Sequence, residues 1–289
     1  MHTGILAAIA AAMLYNLAVV VQKTQAERVS TSGVRIIGSL SRRPIWLLGI
    51  AVQMTGFGLH FLALTRAPVT VVQPIIAAGI TFVVVFAALL LKERPGRREI
   101  GGMVLAISGV ILLVTRLEGP PTMAKVSVGG LCVALAVTAA LIAGLLGLAT
   151  SRQIQKASIR AVVLGSAAGL GYGMSDAMNR LMGAWLSPGQ GWVPPAAMGI
   201  GAAVFLFLFG FEGFVTAQNA YKTHRANTVV PCILTAQLLV PVAISITLYG
   251  QSLPARTADV TMWGIALGLT LSGVVTLAAS SRVASTFEA

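Results

Sequence analysis

Two stretches, TRAPVTVVQPII at residues 65–76 and THRANTVVPCIL at residues 223–234, decide how this chain is read. Each carries Thr-Val-Val, at 70–72 and 228–230, with Pro74 and Pro231 just behind. The offset is 158 residues, and both copies follow one apolar run after a short turn and open the next. Farther along, the sequence from Gly101 and Gly102 to Gly109-Val110 resembles that from Gly264 to Gly273-Val274, with a few residues inserted. Upstream, Tyr15 falls opposite Tyr172 at about the same offset. The pattern predicts an internal duplication.

The apolar runs say what is duplicated. A hydrocarbon core of about 30 Å takes roughly 20 apolar residues as helix. Nine such runs occur, near 2–22, 44–64, 69–91, 99–115, 126–150, 160–180, 196–219, 228–250 and 260–280. They lack strand alternation and are too long for barrel strands, so helices are expected. Runs one to four pair with six to nine, and run five is the joint. One helix between two four-helix units turns the second unit upside down. The expected fold class is an all-α integral membrane protein with nine transmembrane helices in two inverted four-helix repeats joined by a central helix. The first repeat spans 1–119, the joining helix 120–158 and the second repeat 159–289.

Composition agrees. Hydrophobic residues make up 56% of the 289 and charged ones 10%, against about 25% charged in soluble domains. So few charges cannot coat a soluble globule, which excludes a soluble enzyme or free binding module. In a soluble protein the net charge of +12 would point to nucleic acid. Here the basic residues lie in short segments between apolar runs and signal topology, so no nucleic-acid partner is expected. Fifteen Lys and Arg fall on one set of segments and five on the other, which predicts the N-terminus outside and the C-terminus in the cytoplasm. Nothing basic precedes the first run, which therefore reads as a retained helix rather than a signal peptide. Trp46, Trp185, Trp192 and Trp263 fall at or near run ends, as interfacial aromatics do. The pairs Gly165/Gly169 and Gly264/Gly268 predict close helix packing within the bundle.

Three longer segments carry a family resemblance: VVQKTQAERV (20–29), RRPIWLLGIAVQMTGFGLHFLAL (42–64) and PIIAAGITFVVVFAALLLKERPGRREIGGMVLAISGVILLV (74–114). They resemble the drug/metabolite transporter superfamily, in its EamA-type and NIPA-like bacterial branches. In that pattern a proline-led helix ends at a turn that here reads Leu91-Lys92-Glu93-Arg94, and the second copy, Gly250-Gln251-Ser252-Leu253, is degenerate. The family's usual form has ten helices in two inverted sets of five, with the N-terminus inside. Nine runs match the NIPA-like form, and the basic-residue count opposes the usual orientation. The resemblance implies a secondary transporter in the plasma (inner) membrane that moves a small metabolite by alternating access. Alternatives are divalent cation (Mg²⁺) transport, flipping of a lipid or lipid-linked sugar, and a non-transporting membrane scaffold.

Charged candidates are few. Six of the eight acidic residues, Glu27, Glu93, Glu99, Glu118, Asp259 and Glu288, lie in loops or tails, which leaves Asp176 and Glu212. A carboxylate within a membrane costs about 2.5–3.5 kcal/mol on insertion scales and usually faces a cavity or a partner. Glu212, between Gly210 and Gly213, is the leading proton acceptor or cation contact. Asp176 lies one helical turn from Arg180, so a simple helix pair also accounts for it. Neutral polar residues outline a path: Tyr15, Asn16, Gln53, His60 and Gln73 in one half, and Tyr172, Gln218, Asn219 and Gln237 in the other. His60 corresponds to Gln218 at the repeat offset, and the two are expected to meet across the pseudo-two-fold axis. No Walker A, HExxH, GxSxG or Rossmann glycine pattern occurs. No catalytic residue, metal site or cofactor is therefore expected. The partners expected are the bilayer, a small-molecule or lipid-like substrate, and a proton or cation for coupling.

Overall fold

The computed structural model describes residues 2–66, 75–76, 79–92, 96–115, 126–151, 154–186, 195–249 and 257–279. Among these residues the fold is all helix: α1 (His2–Ala26), α2 (Arg35–Leu40), α3 (Pro44–Arg66), α4 (Ile80–Phe86), α5 (Arg97–Thr115), α6 (Val128–Thr150), α7 (Ala157–Leu186), α8 (Ala196–Thr223), α9 (Ala226–Thr247) and α10 (Thr257–Ala279). A π-helical turn, Ala87–Leu91, extends α4 to Lys92, whose left-handed φ of 58° stops the helix. Each of the nine expected runs holds a helix. Short α2 is an addition, lying in the segment read as a plain loop.

Among the described residues, three helices, Thr3–Ala26, Val128–Thr150 and Ala196–Thr223, are long and apolar enough to cross a membrane. Their outward faces are apolar as well. On α6, Val133, Val137, Leu141 and Leu148 are exposed, and on α8 Ile200, Val204, Phe207, Leu208 and Phe211. Spacings of three and four residues place each set on one helical face, which suits lipid and would be a liability in water.

In the interior, α1 packs chiefly on α3, α7 on both α8 and α9, α5 on α10, and α6 on α7. Small residues permit these approaches. Gly165 and Gly169 face α9, where a Cβ at Gly165 would lie 3.1 Å from Cys232 Cβ and one at Gly169 2.7 Å from Ala236 Cβ. The pair Gly264/Gly268 does not behave as expected, since a Cβ at either would meet nothing within 4 Å. Gly273 takes that role on α10: it sits against Gly102 O and Ala106 N of α5, while Gly109 sits against Ala266 O and Thr270 N of α10. Residue numbers therefore fall along α10 as they rise along α5, and the two helices cross antiparallel.

A second correspondence lies at the α1–α3 and α7–α8 crossings. A Cβ at Gly56 would lie 3.3 Å from Tyr15 Cδ1 and 3.4 Å from Tyr15 N. A Cβ at Gly213 would lie 3.1 Å from Tyr172 Cδ1 and 3.0 Å from Tyr172 N. The same tyrosine–glycine packing thus occurs twice at one offset. The first Thr-Val-Val copy, with Pro74, lies outside the described residues. The second opens α9, with Thr228, Val229 and Val230 buried.

Candidate functional site

Polar side chains inside the bundle fall into two groups at different depths. The middle group comprises Tyr15 on α1, His60 on α3, Tyr172 and Asp176 on α7, Glu212 on α8 and Gln237 on α9. Tyr15 and Glu212 each lie eleven residues from the end of their helix, about 16 Å at 1.5 Å per residue. That depth is near the middle of a membrane.

Glu212 binds one neighbour and leaves one oxygen free. Thr216, one turn on, donates from Oγ1 to Glu212 Oε1 at 2.7 Å. Oε2 is buried with no hydrogen-bond partner among the described residues. It occupies the space a side chain at Gly171 would fill, so that glycine makes room for the carboxylate. A buried acceptor without a donor costs about 1–3 kcal/mol, and more when charged. Such a group is held ready for a proton, a cation or a ligand donor.

Asp176 reaches across helices: Gln237 Nε2 donates to its Oδ2 at 2.8 Å. This bond between α7 and α9 goes beyond the within-helix pairing with Arg180 that the spacing suggested. Met174, Ala177 and Met178 around it are buried, yet Asp176 itself is exposed. Tyr15 meets His60, with its hydroxyl 3.4 Å from Nδ1 and the rings edge to face at 6.0 Å. His60 Nε2 is buried without a partner among the described residues.

The second group lies nearer the end of the bundle that carries Lys23, Arg28, Arg42, Arg43 and Lys222. Gln22 Nε2 donates to Gln53 Oε1 at 2.7 Å, Gln218 Nε2 donates to Gln22 Oε1 at 2.7 Å, and Trp46 Nε1 donates to Gln218 Oε1 at 3.2 Å. The chain joins α1, α3 and α8, and Gln218 at its centre is 0% exposed. Beside it, Lys23 Nζ donates to Tyr221 O at 3.3 Å and pairs with Glu27. Gly33 N–H donates to Asn219 Oδ1 at 2.9 Å, and Lys222 Nζ donates to Thr31 O at 2.7 Å. This end of α8 is laced to α1, to the start of α3 and to the segment between them.

Several expectations change as a result. His60 and Gln218 keep separate partners and do not form the pair predicted across the pseudo-two-fold axis; Tyr15 claims one, Gln22 and Trp46 the other. Asn16 is buried and bonds Ala12 O of its own helix at 2.6 Å. Asn219 clamps a loop. Trp46 is no interfacial anchor but an interior donor, 4% exposed. Trp185 packs against Gly199 of α8. Gln73 lies outside the described residues. Sequence alone does not single out Gln22 and Trp46: Gln22 stands at the edge of an apolar run, and Trp46 at a run end has the look of an interfacial aromatic.

Comparison with known proteins bears out the resemblance over the first part of the chain. Residues 2–115 match the EamA-like transporter family, which belongs to the drug/metabolite transporter superfamily. A probable magnesium transporter, NIPA6 of Arabidopsis thaliana, is 27% identical over 114 residues, which is 38% of this chain and 35% of that relative. The matched region thus spans about a third of the relative's length. No solved structure matches.

Proposed function

We propose that this protein is a multi-pass secondary transporter of the drug/metabolite superfamily that moves a small metabolite across the plasma (inner) membrane by alternating access. Its N-terminus lies outside and its C-terminus in the cytoplasm. Two inverted four-helix halves, 1–119 and 159–289, flank the joining helix within 120–158, giving nine spans in all.

Two observations support the inverted halves. Equivalent helices of an inverted duplication must run antiparallel. The α5–α10 crossing is antiparallel: Gly273 faces Gly102 and Ala106, and Gly109 faces Ala266 and Thr270. The paired tyrosine–glycine packings supply the second.

The observation that carries the transport reading is the middle group, where Glu212 Oε2 is buried with no partner among the described residues and Asp176, on the helix packed against α8, is exposed. Two carboxylates with tyrosine hydroxyls and Gln237 suit a ligand bearing an amine or several hydroxyls, or a proton that travels with it. The polar lacing at the basic end closes the path on the side that the basic residues assign to the cytoplasm, while Asp176 remains accessible.

Magnesium transport is the second reading, favoured by the name of the Arabidopsis relative. Mg²⁺ asks for six oxygens in near-octahedral order. Among the described residues no three His, Cys, Asp or Glu side chains converge, so the metabolite reading is preferred. The test is a thermal-shift screen of metabolites and divalent cations against wild type and Glu212→Gln, followed by uptake into proteoliposomes. Stabilisation by a metabolite that disappears in Glu212→Gln supports the proposal. Stabilisation by Mg²⁺ alone would overturn it in favour of the second reading.

A further inference from the structure

The segment between α1 and α3 folds into an open cleft of about 280 Å³ lined by Arg28, Ser30, Thr31, Ser39, Arg42 and Arg43 among its wall residues. From this cleft we infer a binding site for a phosphate ester or free phosphate, separate from the transport path. Among the described residues no carboxylate lines it. Glu27, the acidic residue nearest in sequence, is held by Lys23. Three arginines therefore line the cleft, and among the described residues no carboxylate does.

The cleft is organised rather than a loose basic surface. Arg43 is half-buried, and its fork is pinned on one side: Nη2 donates to Arg28 O at 3.0 Å and Nη1 to Gln25 Oε1 at 3.4 Å. Thr31 Oγ1 donates to Ser39 Oγ at 2.9 Å, which ties the loop to α2 across the cleft. Lys222 and Asn219 hold the same loop from α8. Arg28 and Arg42 stay exposed, their guanidiniums available to the cleft. Arginine forks with hydroxyl donors are the chemistry that holds phosphate oxygens bidentately.

Size and location narrow the ligand. Pockets for drug-sized molecules run to roughly 300–1,000 Å³, so this one suits a compact head group. The basic-residue count puts it at the cytoplasmic leaflet, where anionic lipids attract basic clusters beside membrane helices. A phospholipid head group and a soluble phosphate offer the same chemistry. Because the cleft sits on the loop that is laced to α8, a phosphate bound there would strengthen the closed side of the transporter.

The test measures thermal stability of the full-length protein in vesicles of phosphatidylcholine alone, with inorganic phosphate added, or with phosphatidic acid mixed in. Wild type, Arg28→Gln/Arg42→Gln and the charge-matched control Arg97→Gln/Arg98→Gln are compared. Expected is stabilisation of wild type and control by at least one phosphate source, with affinity weakened at least about tenfold in the cleft variant. A response to phosphatidic acid only identifies a lipid head group, and a response to inorganic phosphate identifies a soluble ligand. Ser39→Asp, which places a carboxylate in the cleft, is expected to abolish the same response. No stabilisation by either source, or equal loss in cleft and control variants, overturns the inference.

Discussion

Gly109 and Gly273 answer each other across the α5–α10 crossing: each lies against the backbone of the other's helix, three residues beyond Ala106 and Thr270 respectively. An arrangement in which the first residue stands to the second as the second stands to the first is that of a two-fold axis. The backbones touch here because neither helix carries a side chain at the point of approach. The proposed rocking of two halves would place its pivot at a contact of this kind.

Filling that contact should be costly. Gly109→Val or Gly273→Val would drive a side chain into facing backbone, and overpacking of this kind costs about 1–3 kcal/mol or more. Thermal unfolding in detergent is expected to show a clear loss for either. Gly264→Val, where a Cβ meets nothing within 4 Å, should change little. Equal losses at all three positions would remove the crossing from the account.

How far the sequence could be read follows from the same chemistry. Run length and charge distribution located a helix in every expected run, because hydropathy reports burial away from water. They could not tell which face of a helix meets protein and which meets lipid, since both surroundings are equally apolar. Gly264/Gly268 was therefore expected to pack when Gly273 does, and Trp46 was placed at the interface when it donates to a buried glutamine. Glu212 and Asp176 were legible as site candidates because a carboxylate stands out in an apolar run. Gln22 stood at a run's edge, where polarity carries no information about contacts. The polar link between α1 and α8 depends on tertiary placement that periodicity does not encode.

The glutamine chain offers a second measurable quantity. Gln218→Ala leaves Gln22 Oε1 and Trp46 Nε1 without the bonds they now make. Each orphaned buried group costs about 1–3 kcal/mol. Removing Gln22 as well should cost less than the sum of the single losses, because both belong to one network. A double-mutant cycle on unfolding stability checks this, and strict additivity would show that the chain is not a unit.

His224 caps the end of α8 with Nδ1 buried and unpartnered among the described residues. Burial first, then the charges of Arg225 and Lys23, hold its pKa below the ordinary 6.5. The folded state therefore binds a proton less readily than the unfolded chain. Stability from this group is present above the unfolded value and is lost as pH falls through the lower folded value. The melting temperature of wild type should fall on going from neutral to mildly acidic buffer by more than that of His224→Gln. Identical pH profiles would contradict this.

The central claim is that Glu212 serves a translocation path through the middle of the bundle. Its most direct test is uptake into proteoliposomes, with and without a pH gradient, of the solute that stabilises wild type, compared between wild type and Glu212→Gln of matched folding stability. The account predicts that Glu212→Gln loses uptake by at least about tenfold, the effect of removing one charge-assisted contact worth ~1.5–3 kcal/mol. Uptake by Glu212→Gln equal to that of wild type under both conditions would contradict it.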